Sequence, residues 1–424
     1  MFTIIRDPLW NNVRVDALAM ELIDTPAFQR LRYVRQLGWV YMVYPGATHS
    51  RFEHALGAYH LARRALALLE EREGLARLPD DECHLVRVAA LLHDIGHYPY
   101  SHALEEIGAL HHEEVARPLV TEGDVAEVLG RAFGADAPGR VMRLIRGESE
   151  SPLQGLISGS FDLDKLDYLR RDAFMCGVSY GEIDVDRLLQ SLLLLEEPAT
   201  GRISVGLSEK GLSALESLLF AKYQMYRNVY WHHAVRGATA MYKRLVADAI
   251  NAGSLDAREL AAFTDEGLLH RVADLAPGPL LGALRARRLY KRAFECPAAD
   301  LPQDGGEWIA DDRPLAVAVE DALAREVGLA PGELLVDYPA KTQMLGLDIP
   351  VLRRTRDVRQ LTAAGWEGAM NLPKLSEQFY RSARWLRVFT CRRMVLDRRR
   401  VLDLVRRPAG EVRRLVAEGR LLLR

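Results

Sequence analysis

Nine of the twelve histidines lie between residues 49 and 112, far more than an even distribution would place there. Imidazole binds metal ions and transfers protons near neutral pH. We therefore expect this stretch to fold around a chemical site. The histidines concerned are His49, His54, His60, His84, His93, His97, His102, His111 and His112.

The centre of this stretch is AALLHDIGHYPYSH, residues 89–102. An apolar run at helical spacing, from Leu85 to Leu92, predicts a helix that ends at His93 and Asp94, because a glycine and a proline follow. Neighbouring residues of a helix project about 100° apart, so an imidazole nitrogen and a carboxylate oxygen can reach one cation. This pair therefore predicts half of a metal site.

The other ligands must come from elsewhere in the chain. Ser50 and Glu53 form a capping-box pattern, which predicts a helix that carries His54 in its first turn. The stretch FDLDKLDYLRRD, residues 161–172, offers a further carboxylate, Asp164. On a helix, one polar face of this stretch would hold Asp164, Lys165, Tyr168 and Asp172, and the opposite face Leu166, Leu169 and Ala173.

Composition bounds the class of protein. A chain of 424 residues with 49% hydrophobic and 27% charged residues is expected to be globular, with two or three domains. No stretch approaches 18 uninterrupted apolar residues and the start lacks a signal-peptide pattern, so we expect no membrane association and a cytoplasmic location. The four cysteines are scattered, which favours neither disulfides nor a thiolate zinc site.

Secondary-structure patterns predict a mainly α protein with a smaller α+β C-terminal region. We expect one helix over residues 25–38, a hairpin that turns at Gly201, and helix from Glu209 to about Asn251. The C-terminal region, residues 276–424, is predicted to hold strands at 288–296, 333–339 and 385–391 and helices near 313–326, 375–385 and 396–416. Its tail, residues 391–424, has eleven arginines against four acidic residues. Nucleic-acid binding is one explanation of this tail, and an amphipathic interface helix is the favoured one.

Four blocks in this order resemble the HD-domain phosphohydrolase superfamily: YPGATHSRFEHALG, LLHDIGHYPYSH, HHEE and DLDKLDYLRRD. Together they resemble its deoxynucleoside triphosphate triphosphohydrolase branch, which is sterile-alpha-motif/HD-domain-like. The resemblance implies an HD phosphohydrolase domain over residues 1–275, with its core at 49–175. It also implies one divalent ion (Mn, Mg, Fe or Zn), bound by His54, His93, Asp94 and Asp164. Spacing alone indicates only metal-assisted hydrolysis of a phosphate ester.

In the resembling enzymes, a dNTP is cleaved at the α-phosphorus to a deoxynucleoside and tripolyphosphate. By this resemblance we expect His97 and His112 to contact the phosphates and His102, supported by Glu105, to handle protons. Glu105 stands where better-known members have an aspartate, so its reach differs by one methylene. A purely structural role is the alternative for each of these histidines.

The resemblance also implies substrate contacts. Arg51 and Lys165 would neutralise the triphosphate, and Tyr168, Asp172 and Arg227 would fix sugar and phosphates. Gln36 and Leu37 match positions that contact the deoxyribose, although Leu37 is equally explained by core packing. The residues that match an activating-nucleotide site at a subunit interface are Asp24, Gln29 and Arg32, for which a solvated basic face is the alternative.

Val235 and Arg236 depart from the family pattern, which has a tyrosine and a glutamine facing sugar and base there. Discrimination against ribonucleotides is therefore expected to be weaker or arranged differently. Two other functions stay open: an HD phosphohydrolase acting on another nucleotide or a nucleic acid end, and a nucleotide-sensing or nucleic-acid-binding module. The resemblance further implies a homo-oligomer, a dimer or a tetramer.

Overall fold

The computed structural model describes residues 2–73, 75, 78–79, 81–159, 161–275, 278–302, 304–340, 348–361 and 372–423. Helices dominate and the sheets are small, which confirms the predicted mainly α class with an α+β C-terminal region. None of the helices in these ranges carries an apolar stretch suited to crossing a bilayer. The helices up to residue 251 are α1 (Ala17–Ile23), α2 (Pro26–Gln29), α3 (Arg51–Glu73), α4 (Glu82–Leu92), α5 (His112–Thr121), α6 (Gly123–Phe133), α7 (Ala137–Ile145), α8 (Leu163–Cys176), α9 (Val185–Leu189), α10 (Leu212–Met225) and α11 (His233–Asn251).

The centre of the fold is α3, which packs against α4 and α8. It begins as the capping-box pattern predicts: the Glu53 carboxylate accepts hydrogen bonds from the backbone N–H of Ser50 and, at 2.6 Å, from its hydroxyl. The predicted helix before His93 is α4. Because three helices meet here, residues that are far apart in sequence share one buried region.

A glycine permits the close approach of α3 and α8. A Cβ atom at Gly57 would overlap the carboxylate of Asp167 and lie 2.5 Å from Nη2 of Arg171. Any larger residue at this position would push the two helices apart or displace the buried carboxylate. The spacing of the two helices therefore depends on Gly57.

The single helix predicted over residues 25–38 is shorter in the structure. Pro26 begins α2 as expected, but α2 passes into a 3₁₀ turn that ends at Tyr33. Val34 is extended, and its carbonyl accepts the N–H of Arg51 at 2.9 Å, while the N–H of Gln36 donates to the carbonyl of His49 at 3.0 Å. Pairing with the chain just before α3 thus replaces the rest of the helix.

The C-terminal region contains the predicted strands and two that the sequence did not indicate. The strands of the chain are β1 (Thr3–Asp7), β2 (Asn11–Val15), β3 (Leu192–Glu196), β4 (Ile203–Ser208), β5 (Lys291–Pro297), β6 (Leu334–Asp337), β7 (Ile349–Leu352), β8 (Val358–Leu361) and β9 (Trp385–Thr390). The sheets have the orders β1-β2, β3-β4-β7-β8 and β5-β9-β6. The hairpin predicted around Gly201 is β3-β4, and β7 joins it in parallel through Leu207 and Val351. A sheet therefore draws strands from both sides of residue 275, and the domain boundary placed there stays a prediction.

The helices predicted near 313–326 and 375–385 are present, whereas the helix predicted over 396–416 is two helices. The helix break falls at Arg407 and Pro408, because proline cannot donate the backbone hydrogen bond that would continue the first helix. The helices of this half are α12 (Asp265–Leu275), α13 (Pro279–Arg285), α14 (Trp308–Asp311), α15 (Arg313–Glu326), α16 (Leu372–Ala383), α17 (Arg398–Arg406) and α18 (Ala409–Ala417).

Candidate metal centre

Three of the four predicted metal ligands converge on one point. His54 lies in the first turn of α3, His93 follows the last residue of α4, and Asp164 lies in the first turn of α8. Nε2 of His54 is 2.9 Å from Oδ1 of Asp164 and 3.1 Å from Nε2 of His93. All three ligand atoms lie within 4.8 Å of one another.

The far nitrogens of both imidazoles are occupied, which orients the rings. Nδ1 of His54 is 2.8 Å from Oδ2 of Asp167, and Nδ1 of His93 is 2.9 Å from the carbonyl of Ala90. Each Nδ1–H donates to its oxygen, so each Nε2 presents a lone pair to the centre. This is the arrangement in which histidines usually bind metal ions.

Asp94 lies beside this point, and its two oxygens have further partners. Oδ1 is 3.4 Å from Nε2 of His93, and Oδ2 is 3.6 Å from Nε2 of His54. Arg51 also donates to Oδ2, and Nε2 of His97 is 3.1 Å from Oδ1. Two imidazoles with two carboxylates match the donor set of a borderline divalent cation.

The electrostatics of the centre favour a cation. Burial lowers the pKa of His54, but hydrogen bonds to Asp164 and Asp167 outweigh it and raise that pKa to about 10. Burial raises the pKa of Asp164, yet His54 and His93 hold it well below its usual range. The carboxylates therefore stay ionised and attract positive charge to the point between the imidazoles, where a divalent ion would displace a proton.

Asp167 is a site residue that the sequence did not single out. It is fully buried and accepts hydrogen bonds from Trp10 Nε1 and, at 2.8 Å, from Arg171 Nε as well as from His54. Its position one helical turn after Asp164 and four residues before an arginine was the available signal. Arg171 in turn donates to Asp7 at 2.8 Å, so two buried carboxylates share one buried guanidinium.

A second cluster adjoins the metal centre. One ligand atom from each of His97, His102, Glu105 and His112 lies within 4.8 Å of the others. Glu105 bridges two histidines: Oε1 is 2.9 Å from Nδ1 of His112, and Oε2 is 3.3 Å from Nδ1 of His102. The ring of His97 stacks on that of His112 at 3.9 Å between centroids. The contact between His97 and Asp94 joins this cluster to the metal centre.

The cluster has a defined charge pattern. Burial raises the pKa of Glu105, but hydrogen bonds from His102 and His112 hold it well below the usual range. Burial lowers the pKa of His97, and the nearby Arg51 lowers it further. Burial also lowers the pKa of His112. Near neutral pH, Glu105 is therefore an anion and these two imidazoles are neutral, while the His102 side chain is 58% exposed.

The loop before His102 has a strained backbone. Tyr100 and Ser101 both adopt left-handed conformations, with φ of 58° and 65°. Trp39 stacks face to face on Tyr100 at 4.1 Å, and Ser101 accepts a hydrogen bond from Arg51. Strain of this kind is retained where the surrounding structure enforces it, often at functional sites.

Four of the five side chains predicted to contact phosphates and sugar are hydrogen-bonded within the protein. Lys165 donates to Asp162 and, at 3.0 Å, to the carbonyl of Gly159, and the Tyr168 ring lies 6.5 Å from that of His54. The remaining three are engaged within the protein: Arg51 with Asp94 and Ser101, Asp172 with His49 and Tyr230 at 2.8 and 2.7 Å, and Arg227 with the Tyr223 hydroxyl at 2.8 Å. His49, which the sequence left unassigned, thus holds Asp172.

Gln36 and Leu37 lie in the connector before α3. Gln36 is buried, and within the described residues its Oε1 has no hydrogen-bond partner. Leu37 packs against the largest apolar cluster. The residues proposed for an activating nucleotide lie at the surface nearby: Asp24 is exposed, Arg32 donates to Gln29 at 2.8 Å, and the Arg32 guanidinium covers the Phe52 ring at 3.5 Å.

Arg236 faces the interior of the protein. Its guanidinium donates to Asp337 at 2.6 and 2.9 Å and to Glu106 at 2.8 and 3.0 Å, and it is 5% exposed. Lys243 joins the group, at 2.7 Å from Glu106 and 3.2 Å from Asp337. Val235 is buried in the apolar core. The departure from the family pattern at residue 236 is therefore explained by a buried ion-pair network.

Comparison with known proteins agrees with this site. The family described as HD domain matches residues 51–172, and the family described as HD associated region matches residues 183–365. Uncharacterized protein MJ1154 of Methanocaldococcus jannaschii is 35% identical over 77% of this chain and 67% of its own length. The deoxynucleoside triphosphate triphosphohydrolase SAMHD1 homolog of Dictyostelium discoideum is 30% identical over 73% of this chain and 62% of its own.

Other comparisons concern the extent of the match and the fold. The chain spans about half the length of several other curated relatives, 55% in the case of YwfO of Bacillus subtilis. A crystal structure of a hypothetical protein from Aquifex aeolicus matches the whole of both chains with a TM-score of 0.69 and 27% identity. The chain belongs to the HD-domain phosphohydrolase superfamily, as the matched families, these relatives and the convergent histidines and aspartates show.

Proposed function

We propose that the protein is a metal-dependent hydrolase that converts a dNTP to a deoxynucleoside and tripolyphosphate. The observation that carries this proposal is the convergence of His54, His93 and Asp164 beside Asp94, with the second histidine cluster in contact with it. A relative 30% identical to the chain is named as a deoxynucleoside triphosphate triphosphohydrolase homolog, which supports the substrate class.

The metal fits the residues present. One divalent cation (Mn, Mg, Fe or Zn), bound by His54, His93, Asp94 and Asp164, would supply Lewis-acid stabilisation of the negative charge on the phosphate. Asp167 and the Ala90 carbonyl orient the two imidazoles for this ion.

The chain's own residues bind the substrate and move the proton. His97 and His112 orient the α-phosphate. The His97 ring is neutral, and its Nδ1 has no hydrogen-bond partner within the described residues. Water attacks the α-phosphorus while His102 gives a proton to the 5′ oxygen, and the bond between this oxygen and the α-phosphorus breaks. The proton that the attacking water loses returns to His102. Glu105 stabilises the protonated ring through Nδ1. Lys165, Tyr168 and Arg227 contact the outer phosphates and sugar.

The proposal includes assembly and regulation. A homo-oligomer is proposed, with the surface group Asp24, Gln29 and Arg32 as the contact for an activating nucleotide. Since Arg236 is held inside the protein, the base and sugar are contacted by other residues than in the resembling enzymes, which favours a different substrate preference. A related reaction on another nucleotide is therefore the second candidate.

Product analysis tests this proposal. Metal-loaded protein is incubated separately with each dNTP and NTP, and the products are resolved by anion exchange. Tripolyphosphate together with deoxynucleoside is the expected result. Monophosphate with pyrophosphate would instead indicate a different cleavage, and absence of turnover with every nucleotide would indicate a nucleotide-sensing module.

The control for this assay is Asp94→Ala. Because Asp94 contacts both imidazoles and His97, its loss is expected to remove bound metal and reduce turnover by at least about 1000-fold. Metal content is measured by elemental analysis of the same preparation. Full turnover in this variant would mean that the site is wrongly assigned.

A further inference from the structure

Lys222 is a buried cation that the proposed mechanism does not use. It lies in the last turn of α10 and is 6% exposed. Within the described residues, its ammonium group makes no hydrogen bond and no ion pair. Its contact is with an aromatic ring, that of Tyr226, at 5.8 Å from the centroid.

Two other buried cations of this protein are closely paired. Lys243, which is 5% exposed, lies between Glu106 and Asp337, and Arg171 lies between Asp167 and Asp7. A buried ammonium without a partner lowers stability, because its lost hydration is not replaced. Lys222 therefore differs from Lys243 and Arg171, and a contribution to stability does not explain why a lysine is present at this buried position.

Lys222 lies beside the candidate site, because α10 packs against α8, the helix that carries Asp164 and Lys165. Burial and the nearby Lys165 together lower its pKa to about 8, while Asp162 and Asp164 oppose this change. Lys165 already has Asp162 as its partner. The Tyr226 ring, which Lys222 contacts, lies 5.1 Å from the ring of Tyr230, whose hydroxyl donates to Asp172 at 2.7 Å. Burial, Asp164 and Asp172 together raise the pKa of Tyr226 to about 12. Lys222 thus belongs to the wall of the site on the side of Lys165 and Asp164.

We propose that Lys222 binds the terminal phosphate of a nucleoside triphosphate, next to Lys165. The α-phosphate must meet His97 and His112, which adjoin the metal centre at Asp94. Lys165 follows Asp164 on α8, and Lys222 lies on α10, which packs against α8, so the outer phosphates would lie on this side of the centre. A desolvated cation without an internal partner is prepared for an anion, since it gives up no existing ion pair on binding. This inference rests on the proposed function.

Binding of inorganic tripolyphosphate tests it without turnover. The ligand is titrated by calorimetry into metal-loaded wild-type protein and Lys222→Met in excess Mg²⁺, and the thermal midpoints of the unliganded proteins are compared. We expect the variant to bind about 10- to 100-fold more weakly, as for loss of a charge-assisted hydrogen bond. We expect its thermal midpoint to be equal to or above that of wild type, because the substitution removes an unpaired buried charge.

The matched control is Lys210→Met, which removes the same charge from an exposed position. It should leave the tripolyphosphate affinity and the thermal midpoint unchanged. Between pH 7 and 9.5, wild-type affinity relative to that of Lys222→Met should fall as Lys222 loses its proton. Lys222→Arg should recover part of the affinity.

Three results would overturn the proposal: equal affinity in wild type and Lys222→Met, no binding by wild type, or a lower thermal midpoint in the variant, which would indicate a structural role. The proposed hydrolase function can fail separately. If wild type hydrolyses no dNTP but binds tripolyphosphate through Lys222, the phosphate site stands and the reaction is reassigned.

Discussion

At the scale of single residues, the buried carboxylate of Asp167 supports His54, one of the proposed metal ligands, from outside the predicted ligand set. It fixes the ring of His54 from behind and is itself fixed by Arg171 and Trp10. Carboxylates in this position keep the histidine in the correct tautomer and raise its basicity. The geometry of the centre therefore depends on a residue outside the four predicted ligands.

Replacing Asp167 by asparagine should weaken metal binding by about 10- to 100-fold, because the neutral amide no longer stabilises the Nδ1–H of His54. It should also lower stability by about 3 kcal/mol, since Arg171 loses one of its two buried partners. Metal affinity is measured by chelator competition and stability by urea unfolding. Asp186→Asn, at an exposed carboxylate, is the control, and unchanged metal affinity in the Asp167 variant would contradict the orienting role.

At the scale of elements, the distance between α3 and α8 decides whether His54 can meet Asp164. Gly57 allows that distance, because its missing side chain leaves room for the Asp167 carboxylate. Sequence patterns predicted both helices and the polar face of α8. The need for glycine at this point follows only from the packing of one helix on the other.

Gly57→Ala should therefore be destabilising, even though alanine favours helix more than glycine does. The added methyl group overlaps Asp167 and Arg171, for an expected cost of about 1–3 kcal/mol and weaker metal binding. Gly130→Ala in α6 is the matched control: nothing lies within 4 Å of the added carbon, so stability should rise by about 0.5–1 kcal/mol. Thermal unfolding of both variants measures the difference, and two variants of equal stability would argue against the close approach.

At the scale of the whole molecule, a buried group of four charges connects the C-terminal region to the loop of the second histidine cluster. Asp337 ends β6, Arg236 and Lys243 lie on α11, and Glu106 follows Glu105 directly. The two positive and two negative charges balance, and all four are more than three-quarters buried. The C-terminal region therefore helps to fix the position of the loop that carries His102 and Glu105.

Asp337→Asn tests this connection. It leaves two buried cations with one full negative charge, and the expected loss of stability is about 3–5 kcal/mol. We also expect lower turnover than in wild type at a temperature where both are folded, because Glu106 is no longer held in one place. Asp403→Asn, an exposed substitution in the same region, should change neither quantity. A stability equal to that of wild type in the Asp337 variant would show that this charge network does not stabilise the fold.

Local sequence patterns predict the helical class, the start of α3, the polar face of α8 and the candidate ligands His54, His93, Asp94 and Asp164. Capping, helical spacing and the ligand preferences of metal ions are local properties, so they can be read along the chain. The same is true of the hairpin at Gly201 and the strands β5, β6 and β9.

Tertiary structure decided what depends on contacts between distant residues. It ended the helix after Tyr33, because the chain there pairs with the segment before α3, and it added β7 to the hairpin of β3 and β4. It also placed Asp167 and Arg236 against partners more than one hundred residues away, and left the Lys222 ammonium without a hydrogen bond or ion pair to any described residue. Burial and charge pairing arise only when the chain is folded, and no local pattern contains them.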